Sequence, residues 1–280
     1  MDNIVQMAQS LVYLVEAFVL LFVAKQVYAR VFRRVDLKDE LYGRNNHAMA
    51  VAVGGYFFGI CLALGGALSG PSLGWQADLL GIAQYGLLAI VLMVVAGVLC
   101  ERALLFRFDN RKEVIEDHNM GTAFVEAGMH IANGLIVLAI VLGEGPLWSG
   151  VVFWLLAQVV LVVAGLLYEW ITPHSIHREL ERDNAAVGLA FGGVLVGMGN
   201  IVSIAAAGDY AGWIESLKIF GMDVVFGFVA LYVIHKLTDM LLAPSVRLGA
   251  EQVEEQPNVG AGLIEAFGYV GGSILIVWIF

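Results

Sequence analysis

The chain has 280 residues, 60% of them hydrophobic and only 14% charged, with a mean hydropathy of +0.82. A water-soluble core of this length cannot bury so much apolar surface, so lipid must cover part of it. The formal charge of -10 comes from acids scattered over connections and apolar runs rather than from an acidic tail, and points to no nucleic-acid partner.

Windows of about 20 apolar residues predict eight spans, at 4–28, 47–68, 79–101, 120–142, 147–171, 185–207, 217–242 and 259–280. The runs are continuously apolar rather than alternating, so helices are expected, each satisfying its own backbone groups in lipid. The first span has only Asp2 before it. A secretory signal would carry cations there, so this span is expected to be retained as a helix. Cys61 and Cys100 both lie inside apolar runs, which supports neither a disulfide framework nor a zinc pattern, and they read as packing residues.

Of the 15 Lys and Arg, all but Lys218 fall into four clusters. The clusters are Lys25, Arg30, Arg33, Arg34, Lys38 and Arg44; Arg102, Arg107, Arg111 and Lys112; Arg178 and Arg182; and Lys236 and Arg247. The connections 69–78, 143–148 and 208–213 hold no basic residue. Because basic loops stay in the cytoplasm, the clusters are expected inside and both chain ends outside, on the periplasmic or extracellular side.

The even-numbered spans begin alike: Asn46-His-Ala-Met-Ala, Asn119-Met-Gly-Thr-Ala, Asn184-Ala-Ala-Val-Gly and Asn258-Val-Gly-Ala-Gly, each after an acidic stretch. Successive Asn positions are 73, 65 and 74 residues apart, and the two halves are offset by 138 or 139. The chain therefore reads as an all-α membrane protein, a tandem duplication of a four-helix unit, with units at 1–143 and 144–280. A hairpin has an even number of crossings, so the repeats are parallel and pseudo-twofold, not inverted. Asn at a helix start caps a free backbone N–H. The small residues after it let helices approach closely in lipid, so the even spans are expected inside. The first and fifth spans, rich in Val, Leu and Phe, are expected to face lipid.

Ionisable groups inside a bilayer cost on the order of 2.5–3.5 kcal/mol each and need a reason. Glu126 and Glu265 both fall seven residues after a motif Asn, about 10 Å into the membrane. The odd copies have Val53 and Phe191 there. Glu126, His130 and Asn133 share one helix face, matched by Glu265, Tyr269 and Ser273. Glu16 and Asp223 lie nearer the middle of their spans, and Gln84 aligns with Asp223. Each acid either hydrogen-bonds between helices as packing glue or, in a low-dielectric site, exchanges a proton for a cation. His174 and His177 lack a third convincing ligand, so no metal is expected, and they read as part of a solvated loop. Glu101, Arg102 and Glu169 read as charges snorkelling to water at helix ends, and His235 with Asp239 as an interfacial pair.

The segments Glu179-Leu-Glu-Arg-Asp-Asn184-Ala-Ala-Val-Gly-Leu-Ala-Phe-Gly-Gly193 and Glu40-Leu-Tyr-Gly-Arg-Asn-Asn46-His-Ala-Met-Ala-Val-Ala-Val-Gly-Gly55 resemble the motif of the YjfL- and YshE-like family of bacterial inner-membrane proteins, a domain of unknown function. The family's four-helix unit would cover each half of this chain. The fourth copy departs, with Gln256-Pro257 before its Asn. The resemblance implies a bacterial inner-membrane location and association into small homo-oligomers. It also implies a link to membrane-stress systems, but no activity.

No phosphate loop, nucleophile elbow or His-rich cofactor constellation is present, so neither an enzyme nor a cofactor is expected. The leading expectation is a transporter or channel for a monovalent cation or proton. Its path would be lined by Glu126, Glu265, His130, Tyr269, Asn133, Asp223 and Glu16, with the two repeated acids sharing one hydrated pocket. The alternative is a membrane scaffold or anchor that recruits cytoplasmic protein partners. Lipid handling along the Gly-rich grooves has no signal beyond the packing motif.

Overall fold

The computed structural model describes residues 2–33, 35–70, 72–143, 145–207, 210 and 212–279. Phe280, the expected end of the last span, lies outside the described residues, as do Arg34 of the first basic cluster and Gly208, Asp209 and Ala211 of one connection. Apolar runs with no alternation become helices, and no strand occurs among the described residues. In chain order the helices are α1 (Asp2–Tyr28), α2 (His47–Leu68), α3 (Trp75–Leu104), α4 (Asn110–Ile115), α5 (Met120–Leu142), α6 (Leu147–Ile171), α7 (Ile176–Leu180), α8 (Ala185–Ala206), α9 (Trp213–Leu237), α10 (Leu248–Glu251) and α11 (Val259–Ile279). Eight of these, all but the short α4, α7 and α10, are long and apolar enough to cross a membrane. π-helical turns extend α1 over Ala29–Arg33 and α9 over Thr238–Leu242, and another, Asp39–Gly43, precedes α2.

The even spans α2, α5, α8 and α11 stand side by side in one row, in that order. Glycine sets the spacing. A methyl group on Gly55 of α2 would land on Ala127 of α5, one on Gly128 of α5 on the backbone of Gly192 in α8, and one on Gly193 of α8 on Ala266 of α11. Without Cβ atoms at these points the backbones come close enough for dispersion contacts that lipid cannot replace. Around the row, α1 and α3 flank α2 and α5, while α6 and α9 flank α8 and α11.

Two expectations change. α6, the fifth span, is not a simple lipid-facing helix: it buries Phe153, Trp154, Ala157, Gln158 and Leu161. α11, expected inside, exposes Leu263, Ile264, Phe267, Leu275 and Trp278, because it ends the row and has an even helix on one side only. The third and seventh spans also start four residues earlier than expected, at Trp75 and Trp213. Each follows a glycine with positive φ, Gly74 at 109° and Gly212 at 99°, where a side chain would be strained. The early turn of α3 carries Asp78, whose carboxylate accepts from Ser72 Oγ (2.6 Å), Leu73 N–H (2.8 Å) and Tyr13 Oη (2.8 Å), tying α1 to α3.

Candidate functional site

All four motif Asn side chains cap their helices. The Oδ1 atoms of Asn46, Asn119, Asn184 and Asn258 accept from the N–H groups of Met49 (2.9 Å), Thr122 (2.8 Å), Val187 (3.2 Å) and Ala261 (3.2 Å). Capping leaves the amide Nδ2 free to donate, and three of the four donate across the row. Asn46 reaches the Val114 carbonyl (2.9 Å), Asn119 that of Leu180 (2.6 Å) and Asn184 that of Gln252 (2.8 Å). Each acceptor lies in the segment leading into the next even helix. The motif therefore stitches the row together on the basic side as well as starting its helices.

Glu126 is fully buried on α5, and His130, one turn further along the same face, is 1% exposed. The imidazole sits among three aromatic rings, with centroids of Tyr28, Phe32 and Tyr56 at 6.1, 5.6 and 5.1 Å. α1, its π-turn and α2 supply these rings. Across from them α3 offers Gly97, where a Cβ would lie 3.0 Å from His130 Cε1.

Glu265, 3% exposed on α11, is held from three directions. Tyr168 Oη of α6 donates to its Oε1 (3.0 Å), Gln252 Nε2 donates to its Oε2 (2.5 Å), and His235 Nδ1 of α9 stands 3.7 Å from Oε1. The other nitrogen of His235 lies 3.6 Å from Asp239 Oδ2, where both side chains are about a third exposed. Glu265, His235 and Asp239 thus form a chain of titratable groups leading from the buried carboxyl to the basic side. Tyr269 stacks on His235 at 6.1 Å between centroids. A mostly apolar cleft of about 170 Å³, lined by Tyr168, His235 and Tyr269 among others, opens between α6 and α9.

The remaining candidates are not brought into these clusters. Asn133 is buried, but its amide donates back to the Met129 carbonyl (2.9 Å) and faces Cys100 Sγ (3.7 Å). Ser273 accepts from Asn200 Nδ2 (3.3 Å). Glu16 and Asp223 sit half-buried on the outer helices α1 and α9. Each lies twelve residues before the residue of its helix that joins a cluster, Tyr28 and His235, or about 18 Å along the axis. The single shared pocket is not found either: α8 stands between α5 and α11, and each acid has its own partners. His177 is not solvated. It is 3% exposed, with Nε2 2.8 Å from the Leu104 carbonyl oxygen and Nδ1 3.3 Å from Glu169 Oε2. Glu169 therefore holds the entry of α7 rather than reaching for water, also accepting from Ile176 N–H (3.1 Å). Among the described residues no cluster of three potential metal ligands occurs.

The repeat in the site is a repeat in the whole chain. The family described as Domain of Unknown Function (DUF350) matches residues 2–141 and again residues 143–280. The chain belongs to the DUF350 family. It is also similar to a "UPF0719 transmembrane protein" of Aquifex aeolicus (strain VF5), 22% identical over 249 residues that cover 87% of this chain and 90% of that one. No solved structure matches.

The two DUF350 units carry the same residue types on different helices. Glu126 corresponds to Glu265, and Tyr28 to Tyr168, at offsets of 139 and 140. The imidazole changes position. The first unit has His130 on its even helix and Ala96 on α3, whereas the second has Tyr269 and His235 at the corresponding places. His130 packs against Gly97, beside Ala96, so the ring that α9 supplies in one unit is supplied from α5 in the other. Each unit ends with a buried carboxyl, an imidazole and a phenol. The sequence signal for His235 was this reciprocal exchange. Gln252, in an irregular connection, had no such signal.

Proposed function

We propose that this DUF350 protein is a proton-coupled carrier for a small monovalent cation in the bacterial inner membrane, its basic side cytoplasmic and its chain ends outside. The observation that carries this reading is the line from Glu265 through His235 to Asp239. An imidazole can accept a proton on one nitrogen and release it from the other. A carboxyl group inside a membrane marks an ion or proton pathway by default. Glu126 is the counterpart of Glu265 in the first unit, with His130 one turn further along α5 and Cys100 at the place of Asp239.

Toward the opposite side the row is packed shut, with Ile136 and Val137 of α5 and Ile201 and Val202 of α8 all buried and Asn200 of α8 bonded to Ser273 of α11. A site joined to one side and sealed from the other supports a carrier that alternates rather than an open pore. A second reading, a non-catalytic scaffold, draws on Gln252 and Tyr168, which satisfy both oxygens of Glu265 as packing glue would.

Purified protein in proteoliposomes, driven by a proton or a monovalent-cation gradient, separates the two. The carrier moves protons against the cation, and Glu126→Gln with Glu265→Gln abolishes the flux in folded protein. Flux that survives the double substitution removes these acids from the path. Absence of flux under every gradient leaves the scaffold.

A further inference from the structure

The row is built from one junction used three times. Each even helix presents a forward face, two, nine and thirteen residues after its motif Asn, to a backward face on the next helix at four, eight and eleven or fifteen. Gly55 meets Ala127, Gly128 meets Gly192 and Gly193 meets Ala266 by this rule, and Gly199 of α8 meets Ala132 of α5. At the ends of the row both faces persist without a neighbour. The backward face of α2, with Ala50, Gly54 and Cys61, is exposed, and so is the forward face of α11, with Gly260, Phe267 and Gly271. A Cβ on Gly54 or Gly271 would meet nothing within 4 Å.

The polar stitching stops at the same place. Asn46, Asn119 and Asn184 are buried and reach the carbonyl of the next leading segment, whereas Asn258 is exposed and, among the described residues, donates to Glu251 of its own segment alone (3.3 Å). Asp183, at φ 59°, accepts from Met120 N–H at the start of α5 (2.6 Å). Its counterpart Asn45, at φ 54°, carries an amide oxygen suited to the same bond, but no even helix lies on that side of α2 among the described residues.

We infer that the row continues between molecules: α11 of one copy packs parallel on α2 of the next as α5 packs on α8. Asn258 then meets the leading segment around Leu41, and Asn45 caps the start of α11. Opposite ends of one row meet, so the contact is head-to-tail and generates a ring or a chain of copies rather than a lone symmetric pair. Phe267, where α5 has Gly128, fills the hollow over Gly54 and sets a wider spacing there than inside the chain.

Repeat equivalence places Cys61 of one copy against Gly271 of its neighbour. In Cys100→Ala protein in native membranes, Gly271→Cys should give under mild oxidation a ladder of dimer, trimer and higher species. Val225→Cys on the lipid-facing side of α9 should not. Cys61→Ser with Gly271→Cys, mixed with chains that keep Cys61 alone, should cross-link only in the mixture. Cross-linking no faster than with Val225→Cys, or Cys61 pairing equally well with itself, overturns the head-to-tail contact. Native mass spectrometry of the unmodified protein from lipid nanodiscs gives an independent reading. Multiples of 30.2 kDa that collapse toward one chain in Gly54→Trp support the inference. A single-chain mass throughout refutes it.

Discussion

His235 Nδ1 stands 3.7 Å from Glu265 Oε1, and the residue at the place of His235 in the first unit is Ala96. The first unit compensates with His130, where the second has Tyr269. A pair of substitutions that keeps one imidazole in each unit is what a proton-handling site would retain and a purely packed seam would not need. Replacing His130 by Tyr is expected to slow proton-coupled flux on the order of 100-fold, the usual scale for losing a positioned acid–base group. Adding Ala96→His should restore much of it. Stopped-flow pH measurements on proteoliposomes check both.

The motif Asn residues should differ in cost. Asn119→Ala removes the cap at Thr122 and leaves the Leu180 carbonyl without its donor, an expected loss of about 2–4 kcal/mol. Asn258→Ala removes only a cap and an exposed bond within its own segment, so about 1 kcal/mol is expected in the isolated chain. Denaturation in detergent micelles measures the order.

Glycines along the row should not tolerate a methyl group. Gly188→Ala would drive its Cβ into the backbone of Gly121, an overpacking cost of about 1–3 kcal/mol or more. Gly81→Ala on α3, with nothing within 4 Å, should be neutral or gain up to about 1 kcal/mol of helix propensity. Thermal unfolding of the two variants makes the comparison.

Gln158 is 3% exposed on α6, and neither end of its amide finds a hydrogen-bond partner among the described residues. Leucine has a similar volume and no polar group to bury. Gln158→Leu should raise stability by about 1–3 kcal/mol, read as a shift in the unfolding midpoint.

Stability should also carry a pH signature from the basic side. Burial is the main influence that pushes the Glu113 carboxyl above its ordinary value of 4.5, against the Asn119 amide that favours its charged form. The unfolded carboxyl loses its proton first as pH rises, so between the two values the folded protein binds more protons and stability falls with increasing pH. Glu113→Gln should remove that decline. Unfolding midpoints measured from pH 4 upward check it.

Much of this architecture is legible in residue spacing. The recurrence of Asn46, Asn119, Asn184 and Asn258 revealed the duplication and the caps, because a helix start has few solutions that satisfy its free N–H groups. Glu126 and Glu265 stood out because a carboxyl is costly in lipid. The partners of Glu265 did not, since Gln252 and His235 come from other segments, and only packing brings them to one carboxyl. The burial of His177 was hidden for the same reason: its acceptor, the Leu104 carbonyl, is a backbone atom 73 positions away. The shared pocket was a false expectation because symmetry between two helices does not make them neighbours, and α8 occupies the place between them.

Proton exchange between the basic side of the membrane and both Glu126 and Glu265 is the step on which the proposed carrier depends. Infrared difference spectra between acidic and alkaline buffer, recorded on the folded protein in lipid bilayers, address it directly. The expected result is a carboxyl C=O band that loses intensity with Glu126→Gln or with Glu265→Gln and disappears when both are replaced. A difference spectrum left unchanged by the double substitution would contradict it.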